Sequence, residues 1–397
     1  MALGIYISVP FCRTKCSYCN FASDVFSRAM FEKYVDRVCT DIARAEHTAA
    51  EMGGQVEHAV DSIYLGGGTP TVLESRQLRR MFDAVRAAFS VTLDGEITVE
   101  CAPGTLTAEV LDTLLRCGVN RVSLGVQSFV DAEAASVGRL HKRATTLDDI
   151  ARLRAAGITN INIDLIAGLP HQTAESWKVS VDETIAAGVP HVSVYMLEVD
   201  EDSRLGRELL AGGTRYHAHF VPDEEAVADS YTAACETLEA AGVAQYEISN
   251  FARPGLESRH NLKYWTRQPY FGFGVDAHSM LRSASAEIEA VRCATVDAPE
   301  KFTAGGPQQR TVVLKQTALE ETFFLGLRLN RGVNLREVEH TFGPRTLEEF
   351  RPAIAALISD GLVRIDGDSI CLTARGRLLS NEVFQSFIAP ARADVGS

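Results

Sequence analysis

Three cysteines dominate the chemistry available to this chain. The segment Pro10-Phe11-Cys12-Arg13-Thr14-Lys15-Cys16-Ser17-Tyr18-Cys19 spaces them as C-x3-C-x2-C, so three thiolates share one short loop. A structural zinc asks for four ligands in a closed tetrahedron, and no Cys or His follows at zinc-finger spacing. A cubane held by three thiolates instead leaves one iron open to a ligand from outside the protein. The spacing therefore points to a [4Fe–4S] cluster with Cys12, Cys16 and Cys19 as metal ligands. The other six of the nine cysteines, Cys39, Cys101, Cys117, Cys235, Cys293 and Cys371, are isolated. They form no disulfide framework and fit a reducing, cytoplasmic compartment.

A loop of this kind needs a frame, and the flanking sequence supplies one. Short β-rich runs recur at 4–9, 61–65, 96–100, 121–125, 160–166 and 191–196. Between them lie helix-patterned segments such as 78–89, 108–117, 147–156 and 174–187, three of them ending in Gly118, Gly157 and Gly188. Glycine there closes a helix and feeds the next strand. Repeated strand–helix–strand units imply right-handed crossovers and a parallel sheet. The polar residues all fall at or just past strand C-termini: the cysteines, then Gly66-Gly67-Gly68-Thr69-Pro70, Glu100, Gln127, Asp164 and Tyr195. A barrel gathers its chemistry on that rim.

The fold class expected is thus α/β, a partial (β/α)6 TIM-like barrel. A long helix at 223–241, an aromatic and polar stretch at 246–280 and an irregular connector at 284–310 follow. Helices at 319–329, 335–341 and 347–360, then strands at 363–365 and 369–372, predict a mostly helical, winged-helix-like C-terminal domain. The units expected are 1–235, 236–310 and 311–390.

With 52 acidic against 39 basic residues, the net charge is −13, which opposes general attraction to nucleic acid even with a winged-helix-like domain. No run approaches the ~20 apolar residues of a membrane helix, and the start of the chain lacks the basic opening and apolar core of a secretory signal.

Beyond the cysteines, five further segments carry a resemblance. They are Tyr6–Phe11, Gly66–Thr71, Arg121–Phe129, Gly138-Arg139-Leu140-His141, and Asn162–Ile166 with Gly168-Leu169-Pro170. Together they resemble the radical S-adenosylmethionine (SAM) family that includes oxygen-independent coproporphyrinogen III oxidase and its heme-chaperone relatives. The similarity runs from Tyr6 to about Phe384. It implies that SAM occupies the open iron and that the reduced cluster cleaves its sulfonium. It further implies a SAM pocket of Tyr6, Gly67, Gly68, Thr69, Glu100, Gln127, Arg139 and Asp164. The residue types agree, since a guanidinium suits the methionyl carboxylate, while carboxylates and an amide suit an ammonium and ribose hydroxyls.

Two features separate the branches. The oxidase continues its triplet to a fourth cysteine, where this chain has Phe21, and it carries an N-terminal arm that this sequence lacks. In contrast, His260-Asn261-Leu262-Lys263-Tyr264-Trp265 reproduces the H-N-x-x-Y-W element of the chaperone branch, whose histidine is implicated in heme binding. The resemblance therefore implies heme as a ligand through His260 and apo-hemoproteins as recipients, with oxygen-independent oxidation of coproporphyrinogen III as the alternative that these features disfavour. A lone histidine of this sort also serves as a hydrogen-bonded structural residue, and the sequence leaves a homodimer open. Two departures stand out: Ala102 replaces the asparagine of the family's E-A-N-P, and Asp276 stands where a small residue is common.

Overall fold

The computed structural model describes residues 2–388. Six parallel strands form its centre: β1 (Leu3–Val9), β2 (Ala59–Gly67), β3 (Ser90–Cys101), β4 (Arg121–Gln127), β5 (Asn160–Ala167) and β6 (His191–Met196), hydrogen-bonded in that order. Their period of two sorts side chains between two faces. Ile5, Ile63 and Ile97 align across β1–β3, and Leu124, Ile163 and Val192 across β4–β6, all buried beneath the helices. On the alternate positions Glu100 pairs with Ser123, Ser123 with Asn162, and Asn162 with His191, so the lumen is polar. Most strand and helix expectations hold to within a few residues, but β3 begins at Ser90, well ahead of the expected 96. Gly118, Gly157 and Gly188 all take the left-handed conformation that ends a helix.

The helix Arg28–Ala43, which the sequence reading omitted, packs Tyr34, Val35, Val38 and Ile42 on this sheet. A second correction concerns 284–310, expected as an irregular connector. It contains β10 (Ala290–Ala294), a short helix (Pro299–Thr303) and the start of β11 (Gln309–Val313). With β7 (Asn250–Ala252), β8 (Tyr270–Phe273) and β9 (His278–Ser283), these strands extend the sheet at both edges. β7 runs antiparallel to β6; β8 runs parallel to β1; β9, β10 and β11 form an antiparallel meander beyond β8.

The C-terminal region has the expected winged-helix-like form. Helices Lys315–Gly326, Leu335–Phe342 and Thr346–Ser359 accompany a three-stranded sheet of Val333–Asn334, Ser369–Leu372 and Val363–Asp366. Phe323, Phe350 and Phe387 form its core, with Phe323 and Phe387 stacked at 4.7 Å. Buried Glu321 joins it to the barrel extension by ion pairs to Arg267 at 2.9 Å and Arg292 at 2.8 Å. Residues 389 and 390 of the expected C-terminal unit lie outside the described residues. No described helix is long and apolar enough to cross a membrane.

Candidate functional site

The cysteine loop leaves β1 and is zipped to the glycine loop that leaves β2. Gly68 N donates to Val9 O at 2.9 Å, and Thr69 N to Phe11 O at 2.8 Å. This close approach explains the glycines. A Cβ on Gly68 would sit 2.6 Å from Val9 O, and one on Gly66 would sit 2.7 Å from the Glu100 carboxylate. Lys15 Nζ ties the cysteine loop to itself through the carbonyls of Phe21 (2.7 Å) and Ser23 (2.6 Å).

Donors converge on the sulfurs. Thr69 Oγ1 lies 3.8 Å from Cys12 Sγ, and Arg139 Nη1 donates to Cys16 Sγ at 3.6 Å. Burial pushes the Cys12 thiol up, while the Thr69 and Ser23 hydroxyls oppose that shift. Such donors favour the thiolate, which is the form that binds metal. Among the described residues no three His, Cys, Asp or Glu groups close around a single ion.

The three cysteines open onto a cavity of about 780 Å³, within the range of small-molecule sites. Of the eight expected SAM-pocket residues, Gly67, Gly68, Thr69, Glu100, Gln127, Arg139 and Asp164 line it; Tyr6 does not. Tyr6 instead lies behind Gly67, where an added Cβ would meet its hydroxyl at 3.2 Å. Glu100 accepts from Tyr64 Oη at 2.9 Å and from Gly67 N at 3.1 Å. Desolvation, then the like charge of Asp164, pushes its carboxyl up to about 7. Asp164 is also raised by burial, against hydrogen bonds from Ser193, Asn162 and Ser123.

Gln127 adopts φ +70°, at a register break between β4 and β5. A break of this kind re-aims a side chain, and Gln127 Oε1 is buried on the cavity wall without a partner. The departures also find places. Ala102 lines the cavity, where its carbonyl accepts from Thr105 Oγ1 at 2.6 Å. Asp276 adopts φ +51°, a left-handed conformation that favours glycine and tolerates aspartate.

The H-N-x-x-Y-W element forms the helix Arg259–Trp265, whose first amides are capped by Glu96 at 3.1 and 3.2 Å. His260 was expected to face heme, and here it is only 1% exposed. Its Nδ1 lies 3.0 Å from Ser62 Oγ and its Nε2 2.8 Å from Tyr264 Oη, so neither nitrogen is free. Burial, then the charges of Lys263 and Arg121, pushes it down to about 3, which keeps it neutral. The neighbours point elsewhere. Asn261 lines the large cavity, Tyr264 lines a second one, and the Trp265 ring lies 4.3 Å beneath the Arg328 guanidinium.

Sequence reasoning passed over Tyr64, Arg121, Asn162 and Ser193, all on the same wall. The missed signal is strand alternation: Arg121 and Ser123 precede Gly125, and Asn162 precedes Asp164, each two residues apart. Arg121 is 1% exposed, with Nε unpartnered, and balances the carboxylates of Glu100 and Asp164.

Residues 6–183 match the Radical SAM superfamily, and residues 313–379 match the HemN C-terminal domain. Heme chaperone HemW of Bacillus subtilis is 35% identical over 96% of this chain and 98% of its own length. Heme chaperone HemW of Escherichia coli is 30% identical, with 98% of each chain covered. The solved coproporphyrinogen III oxidase HemN of Escherichia coli superposes with a TM-score of 0.81 at 24% identity, covering 98% of this chain and 90% of that one. Identity and coverage of this extent place the chain in the heme chaperone HemW family of radical SAM proteins.

Proposed function

We propose that this chain is a radical SAM heme carrier: it holds a [4Fe–4S] cluster on Cys12, Cys16 and Cys19, binds SAM beside it, and passes heme to apo-hemoproteins in a reducing, cytoplasmic setting. The observation that carries the reading is the convergence of a three-cysteine loop, with Phe21 in place of a fourth cysteine, on a cavity that also takes Asn261 from the H-N-x-x-Y-W helix. The heme-chaperone names of the full-length relatives support it.

The donor set fits the cofactors. Three thiols leave one iron for SAM, the Gly66–Gly68 loop admits close contact, and Gln127 Oε1 is a buried acceptor without a protein partner. When bound, cluster and SAM supply reductive cleavage of the sulfonium. The protein positions and shields them. Glu100 and Asp164 would hold the ammonium and ribose hydroxyls and Arg139 the carboxylate, while Tyr6 buttresses Gly67 from behind. We assign the barrel to 1–235, the segment bearing the motif to 236–310 and the C-terminal domain to 311–390.

Anaerobic reconstitution with parallel incubations tests this function. Stoichiometric retention of heme and a cluster that survives gel filtration are expected, with no conversion of coproporphyrinogen III in the presence of SAM and reductant. Robust conversion would replace the carrier with the oxidase.

A further inference from the structure

A second cavity of about 300 Å³ opens between β1 and the β8–β9 hairpin. Tyr6, Tyr264 and Tyr270 form its aromatic walls, with the Tyr264 and Tyr270 rings perpendicular at 4.6 Å. Gly67 and Phe21 belong to this cavity and to the larger one, so the two adjoin. His278 stands at its edge, 67% exposed at the side chain.

A porphyrin carrier needs a flat apolar slot and an axial ligand with an available nitrogen on a fixed backbone. His260 lacks the nitrogen, because Ser62 and Tyr264 occupy both. His278 has it. Its Nε2 faces Asp276 Oδ1 at 3.9 Å, and its ring makes no hydrogen bond to the described residues. At that distance the carboxylate makes no hydrogen bond to the ring, so its nitrogens stay open to a ligand. The backbone leading into His278 is pinned: Val275 N to Tyr34 Oη at 2.9 Å, Asp276 N to Val296 O at 2.9 Å, and Ala277 N to Thr295 Oγ1 at 2.8 Å.

We propose that His278 is the axial ligand to heme iron and that one edge of the porphyrin enters the slot of Tyr6, Tyr264 and Tyr270. The assignment rests on the heme-carrying function proposed above. His260 is then a positioning residue: its bond to Tyr264 Oη holds one wall of the slot. This divides the H-N-x-x-Y-W element from the ligand it serves, since the iron is met from the neighbouring hairpin.

Heme titration of the full-length protein, read by Soret absorbance and low-spin electron paramagnetic resonance, tests the assignment. His278→Ala is expected to lower heme affinity about tenfold or more and to abolish the histidine-ligation signature. Added imidazole is expected to restore that signature in His278→Gly. His260→Ala is expected to weaken retention while keeping the signature. As His278 is exposed on a hairpin, thermal melts of its variants should match the wild type. A wild type that retains no heme would sink the carrier function itself, and this assignment with it. A wild type that binds heme with a signature kept in His278→Ala and lost in His260→Ala would overturn the assignment alone.

Discussion

The larger cavity is bounded by Glu100, Asp164, Arg121 and Arg139, whereas the smaller one beside it is walled by Tyr6, Tyr264 and Tyr270. β2 reaches both through Gly67, while β1 reaches only the smaller one through Tyr6 and Ser8. The larger suits a small, charged, many-handed ligand and the smaller a flat apolar one. The difference arises because β1 meets β2 on one side and β8 on the other. The β2 side brings the glycine loop and the charged lumen; the β8 side brings the aromatic helix and hairpin. One strand can therefore separate two chemistries that its neighbours bring to either side.

The sharpest separation comes from the cysteines. Cys12→Ala, Cys16→Ala or Cys19→Ala should each abolish the cluster, measured as iron and sulfide content after anaerobic reconstitution. Cys101→Ala should keep it, because Cys101 is buried and its thiol is pushed up to about 11 by desolvation. Equal loss in Cys101→Ala would break the assignment of the larger cavity.

A smaller effect is expected for its charged walls. Arg139→Ala and Asp164→Ala should each weaken SAM about 10- to 100-fold by calorimetry, the usual cost of removing a charged hydrogen-bond partner. The cluster should survive Asp164→Ala intact. SAM affinity unchanged in both variants would leave the charged cavity without its ligand.

On the aromatic side, His260→Ala strands the Ser62 and Tyr264 hydroxyls and should destabilise the fold by about 1–3 kcal/mol in denaturant titration. Since its folded value is depressed from 6.5 to about 3, the stability held above pH 6.5 is lost as pH falls through that interval. The variant should lack this component of acid sensitivity, and an identical pH profile would argue against the buried neutral state.

Least in size is the effect of Glu100. Its folded value is raised from 4.5 to about 7, so its contribution to stability is full below pH 4.5 and is lost as pH rises through 7. Glu100→Gln should gain in melting temperature relative to the wild type between pH 5 and pH 8, in protein without cluster or SAM. A constant difference across that range would argue against a carboxyl raised by burial and by the charge of Asp164.

Legibility in the sequence follows the same division. The parallel strands read clearly because both of their faces are covered and their runs are rich in Val, Ile and Leu. The cysteine triplet and the glycine loop read clearly because their constraints are local. The strand Ala290–Ala294 did not, since Ala-Val-Arg-Cys-Ala owes its extended form to pairing with β9 and β11 and has little intrinsic strand preference. The state of His260 was equally hidden. Its partner Ser62 lies 198 residues away, and no local pattern announces a histidine whose nitrogens are both taken.

The partition between the cavities at Gly67 has a consequence for the order of events. With φ +94° and no side chain, Gly67 touches the Tyr6 side and the Glu100 side through backbone alone. Any occupant that shifts this residue changes the free energy of filling the opposite chamber, and thermodynamic reciprocity makes the exchange symmetrical. If cargo strengthens nucleoside binding by some factor, the nucleoside must strengthen cargo binding by the same factor. A thin wall without a side chain would thus make loading and release two readings of one coupling constant.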